Sequence, residues 1–364
     1  MMKKHVILLL ACLLPFGTVG AQTLLSQYRP GVTPEGAVYC LPKTALRFSV
    51  LVEKTVYQPG DFAPYAQRYL RMAEVSQEPA TSYRVVGISQ TAMPVADTAK
   101  VFAVHFDART VASRMTLADD GRLLGLNIDD AADVPVPAAF TAAPLPERVN
   151  PRAYMSEEIL SCGSTAKMAE LTAHEIYDLR ENRSLLVKGQ ADFMPQDGRQ
   201  MQIMLDELNR QNESLSSLFL GVTTRDTTEH ILWFVPEATA EWEAVPSRQV
   251  FFRLSQMHGL VEADDLSGAP YYILVEDISQ LPPPEPVAKK QKPQQAGIFV
   301  NVPGRLRCTV YEGINAVSTE EWPAPQFGHT LLLSGDLFNK RYTTRLRLNA
   351  LTGAVERLDA DQPK

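Results

Sequence analysis

The apolar positions of this chain follow two rhythms, and each marks a different kind of element. Between residues 36 and 57, Leu46, Phe48, Val50 and Val52 recur at every second position, the period of a strand buried on one face. Tyr57-Gln58-Pro59-Gly60 reads as a turn, and Asp61 is placed to cap a short helix over 62–72. Further strands are predicted at 82–89, 100–107 and 114–117. Asp119-Asp120-Gly121 then turns the chain into a strand over 122–128. The rhythm fails over 129–155, where Val134-Pro135-Val136-Pro137 and Ala143-Pro144-Leu145-Pro146 read as an extended linker.

The middle of the chain changes period. Ser164 and Thr165 open a helix running to about Ser184, and Asp197, or the preceding Pro195, opens a second one through Phe219. On the second, Met201, Met204, Leu205, Leu208, Leu215, Leu218 and Phe219 recur mostly at three- and four-residue spacing, an amphipathic stripe. Gly221 stands where a helix-ending glycine belongs. The short joint between the helices predicts a hairpin. Strand patterns return at 231–235, 250–254 and 271–275, followed by a Pro/Lys-rich stretch over 279–296 and an all-strand ending.

These patterns predict an α+β fold. Residues 22–128 form a β-rich N-terminal unit, 129–155 a linker and 156–278 a central helical hairpin with attached strands. Residues 279–296 form a second linker, and 297–364 a β-rich C-terminal unit. The last unit echoes the first. Gly36 to Pro42 aligns with Gly297 to Pro303, and Leu46-Arg47-Phe48-Ser49-Val50 with Leu306-Arg307-Cys308-Thr309-Val310. The echo predicts that one β unit occurs twice.

The first residues change the compartment. Lys3 and Lys4 precede an apolar run from Val6 to Leu14, and Val19 and Ala21 place small residues ahead of a cut before Gln22. This is the anatomy of a secretory leader over 1–21, too short to span a bilayer. Cys12 follows a Leu9-Leu10-Ala11 run, but the apolar stretch continues past it, which disfavours a lipid anchor there. No later segment is long and apolar enough to cross a membrane as a helix. The expected destination is the periplasm, the outer membrane or the medium.

Charge excludes one class of partner. Removing the leader takes away two lysines and no acid, so the balance moves from −7 to −9. Nucleic-acid affinity rests on basic surface facing phosphates, and this chain has the opposite sign. Cys40, Cys162 and Cys308 remain after cleavage. One disulfide at most can form among three thiols, and no spacing suits a metal.

Candidate chemistry is thin. His174-Glu175 lacks the second histidine of a zinc helix, since position 178 is Asp. Arg180, Glu181, Arg183, Asp192 and Asp197 gather around the hairpin joint, as a carboxylate- or sugar-binding cluster or as ion pairs pinning the helices. Trp233, Tyr271, Tyr272 and Trp322, with Trp242, offer material for an aromatic platform that stacks sugars. No catalytic residue and no cofactor is indicated.

Some of the wording is familiar. Gly36-Ala37-Val38-Tyr39 with Leu41-Pro42-Lys43-Thr44 is one such stretch, and Ile176 to Arg183 and Met194-Pro195-Gln196-Asp197-Gly198 are others. Together they resemble an uncharacterised family of exported bacterial proteins. That family is a domain of unknown function found mainly in Gram-negative gut anaerobes. The resemblance implies export and no particular activity. The function expected is a non-catalytic binding or cell-envelope scaffold protein, its partner an envelope protein or glycan and its oligomeric state open. The alternative is a hydrolase of glycans or peptides.

Overall fold

The computed structural model describes residues 24–28, 37–105, 114–145, 149–237, 247–281, 297–334 and 343–361. The leader, with Cys12, and most of the second linker lie outside these residues.

The fold is α+β and built on three antiparallel sheets. The first has the order β1 (Leu24–Gln27), β3 (Ala80–His105), β2 (Ala37–Gln58), β6 (Val222–Phe234). The second runs β11 (Asn315–Ser334), β10 (Gly297–Glu312), β9 (Ala269–Asp277), β7 (Gln249–Ser255), β8 (Gly259–Val261). The third is β13 (Val355–Asp361), β12 (Thr343–Leu348), β5 (Leu123–Leu126), β4 (Met115–Leu117). Strands from the three sequence units are dealt across these sheets. β6 of the middle segment pairs with β2, β9 pairs with β10, and β12 pairs with β5.

The first two sheets face each other. Leu46, Phe48, Val50 and Val52 of β2 meet Phe252, Ile273, Val275, Leu306, Cys308 and Val310 in one core. The alternation in β2 exists because its other face lies outside this core. Leu306, Cys308 and Val310 are the positions that echo Leu46, Phe48 and Val50, and the two sets pack into the same interior.

Both long strands then change direction. β2 shifts register between Cys40 and Pro42, and β10 between Val302 and Gly304. Beyond the shifts, Tyr39, Leu41, Ile298 and Val300 enter a second core with Leu123, Leu126, Leu346 and Leu348 of the third sheet. The side chain of Asn301 ties the two bends together, donating to the carbonyls of Pro42 at 3.0 Å and Thr352 at 2.8 Å.

The helices form a separate layer: α1 (Glu157–Leu160), α2 (Thr165–Lys188) and α3 (Gly198–Leu220). Ala173, Ile176 and Leu179 of α2 pack with Leu215, Leu218 and Phe219 of α3, and with Phe62, Ala66 and Leu70. The segment expected as an Asp61-capped α-helix is a 3-10 turn over Ala63–Tyr65 and a wider π turn over Ala66–Leu70. Asp61 caps neither of them. The Phe62 amide instead donates to the Leu218 carbonyl at 2.7 Å, so the end of α3 takes the place of a capping side chain. Close approach fixes this joint. A Cβ on Gly60 would lie 2.1 Å from the Leu218 oxygen, and one on Gly221 would lie 2.4 Å from the Gln58 oxygen.

β6 begins nine residues earlier than its apolar pattern suggests. Thr223-Thr224-Arg225-Asp226-Thr227-Thr228 has no buried face to mark it, yet it pairs with β2 along its full length. None of Cys40, Cys162 and Cys308 is bridged to another. Burial in the main core pushes the Cys308 thiol up to about 12.

Removing a ring from the centre of the sandwich should be costly. Phe48→Ala is expected to lose about 3–5 kcal/mol in urea unfolding. Gly60→Ala, which changes no core volume, should also destabilise by driving a methyl into the backbone of α3.

Candidate functional site

The hairpin tip carries an open, largely apolar concavity. α2 ends at Gly189, whose φ of 69° is left-handed, and the Gln190 amide reaches back to the Leu185 carbonyl at 2.8 Å. The joint then folds beside the start of α3, which is capped by Asp197 accepting from the Gln200 amide at 2.8 Å. Between the two helices lies a cleft of about 600 Å3, lined by Leu185, Leu186, Phe193, Ile203, Met204 and Leu208, with Asn182, Asp192 and Glu207 at its polar edge. Phe193 is 70% exposed and Ile203 60% exposed. Side chains of this size are left in water at a concave spot where a ligand or partner gains by covering them.

The five charged residues expected around this joint do not form one cluster. Arg180 donates to Asn212 at 3.1 Å and lies over the Tyr177 ring, so it ties α2 to α3. Asp197 is a helix cap. Asp192 borders the cleft, while Glu181 and Arg183 face solvent. No ion pair links these five among the described residues.

The aromatic platform is dispersed as well. Tyr271 is 3% exposed, stacks on Phe252 with centroids 4.6 Å apart and donates to Glu312 at 2.8 Å. Trp322 packs against the same core from β11. Tyr272, next to Tyr271 in the strand, points to the opposite side of the second sheet. Trp233, 53% exposed, sits opposite Arg47 on the outer side of the first sheet. The alternation of strand side chains places these rings on different faces, so they cannot stack one sugar. Trp242 lies outside the described residues.

A polar knot holds the first linker across that outer side. Glu229 of β6 accepts from the Ser49 hydroxyl at 2.5 Å and from the Phe140 amide at 2.9 Å, with Arg47 at 3.7 Å. These donors, the Ser49 hydroxyl first, hold its carboxyl below the usual carboxylate range. Arg122, buried at the root of the same linker, pairs with Asp120 and Asp133, each at 2.6 Å.

Residues 35–356 match the family model described as Domain of unknown function (DUF4831). The chain belongs to this family. No curated protein and no solved structure matches it. The DUF4831 match opens just before β2 and closes within β13, so it takes in the helical layer, both linkers and most of the three sheets. Among the described residues, no group of three His, Cys, Asp or Glu side chains could hold a metal ion. Nor is any helix of these residues long and apolar enough to cross a membrane.

Sequence reasoning passed over Phe193 and Ile203. The available signal was their misfit, since Ile203 falls off the α3 stripe and Phe193 stands in a polar joint. Two outcomes separate structural from binding roles here. Asp197→Ala should cost about 1 kcal/mol in thermal or urea unfolding, as a lost cap does, and Arg183→Ala less than about 0.5 kcal/mol. The second concerns pH. A folded pKa below the unfolded one stabilises above the ordinary carboxylate pKa, and this gain is lost as pH falls through the folded value. Wild type should therefore exceed Glu229→Gln in urea midpoint at neutral pH, with the gap closing below about pH 4.

Proposed function

We propose that this protein is an exported, non-catalytic binding or scaffold protein of the bacterial cell envelope, acting through its helical hairpin. The observation that carries this reading is the open apolar cleft at the hairpin tip, which presents Phe193 and Ile203 to solvent. Export is supported by the leader-like opening, and an envelope protein or glycan is the partner such a surface suits. The acidic balance speaks against nucleic acid. The wider setting proposed is the periplasm or outer surface of Gram-negative gut anaerobes.

Electrostatics supports binding over hydrolysis. A general-acid carboxyl needs its pKa raised. Among the described residues the displaced carboxylates are all displaced downward: Glu53 by Arg84, Asp130 by Arg347 and Glu229 by Ser49 are three of them. We also infer that the two β units arose by duplication. The matching bends at Pro42 and Pro303 and the shared core of Leu46-Phe48-Val50 with Leu306-Cys308-Val310 favour this.

The test is a pull-down with residues 22–364 from envelope extract of the protein's own source. A partner retained intact by wild type should be lost with Phe193→Ser/Ile203→Ser, while the melting temperature stays unchanged. Equal retention by the double variant would rule out the cleft. A retained component that is cleaved with time would favour the hydrolase.

A further inference from the structure

The outer face of the third sheet breaks a rule of sheet design. Arg347 of β12 stands directly opposite Arg357 of β13 in the ladder, and Arg345 projects from the same face two residues along. Like charges opposite each other on neighbouring strands destabilise a sheet. General basicity does not explain the pair, since the chain carries a net charge of −7. The intervening Leu346 and Leu348 point into the core beneath.

These three guanidiniums, with Asp130, Asp359 and Ile128, line a cavity of about 210 Å3. Ile128 is the apolar side chain among them, and it lies against Gly125. A Cβ at that glycine would sit 2.3 Å from the Ile128 Cδ1 atom. Asp130 is already seated on Arg347, and Arg357 holds Asp359 at 2.6 Å. The Asp130 side chain is 74% exposed and belongs to the first linker. An ion pair this exposed is held weakly, so its carboxylate can be exchanged for another. A second cavity of about 310 Å3 shares Asp130 and Arg347, has Glu356 at its side and extends along Leu348 to Leu351. It leaves room for the body of a ligand whose carboxylate occupies the first.

We propose that this face binds a carboxylate-bearing ligand, an acidic sugar or a small organic acid, whose carboxylate replaces Asp130 on Arg347 with Arg357 beside it. The fork of donors on arginine matches a planar carboxylate, and the Asp130 carboxylate takes that place on Arg347. The site is independent of the hairpin cleft.

Ligand-observed NMR titration of the mature protein tests it, with glucuronate and succinate as probes and glucose and inorganic phosphate as controls. At least one carboxylate should bind saturably, and the tighter of the two tells an acidic sugar from an acyclic acid. Arg347→Ala should weaken it about tenfold or more. Asp130→Asn should tighten it about two- to fivefold, because the internal competitor is gone. The exposed Arg357→Gln provides a second variant if Arg347→Ala unfolds. The proposal is overturned if neither carboxylate saturates, if glucose or phosphate binds as well, or if Asp130→Asn weakens binding.

Discussion

Two long strands that each serve two interiors set the geometry of this protein. β2 and β10 lie in the sandwich core for most of their length, then bend where the ladder shifts register beside Pro42 and at Pro303. Proline has no amide to donate, so a strand that contains it within a sheet shifts register or bulges there. The bends carry Tyr39, Leu41, Ile298 and Val300 into the second core. Asn301 fixes the crossing by bonding the Pro42 and Thr352 carbonyls at once. The Tyr39 hydroxyl adds a clasp, accepting from the Phe299 amide at 2.8 Å. Without this crossing, the third sheet would have no interior to cover.

The helical layer is attached by contact of a different sort. Gly60 and Gly221 let the end of α3 press against the turn after β2 with no side chain between the backbones. The hairpin is thus anchored at its base, and its tip leaves Phe193 and Ile203 exposed. An anchored base and an uncovered apolar tip are what support the proposed binding role.

The two candidate surfaces differ in what they ask of a partner. The hairpin tip offers apolar area with little charge, so shape and burial would decide what fits. The arginine face offers directional donors beside the apolar Ile128, so a planar anion would decide. The first linker connects to the second surface through Asp130, pairs with Arg122 beside β5 through Asp133, and is held to the first sheet through Phe140. These contacts give residues 130–140 a defined course over the protein.

Much of the local structure was legible in the residues themselves. The alternation in β2, the stripe and caps of α2 and α3, and the glycine stops depend on neighbours in the chain, whose spacing is fixed by backbone geometry. β6 was half hidden because a polar edge strand buries no regular face, and its pairing with β2 supplies what its pattern lacks. The helix expected after Asp61 became two tighter and wider turns because Leu218, far along the chain, supplied the acceptor. Sites were the least legible part. Arg180 to Asp197 looked convergent because they are near in sequence, yet helix geometry spread them apart. Arg347 and Arg357, separated by a turn, met only through strand register. Residue order alone decided that the chain is α+β and where most of its helices and strands lie. Which strands share a sheet, which rings are buried and which charges meet was left to tertiary pairing, because register and face are set by partners distant in the chain.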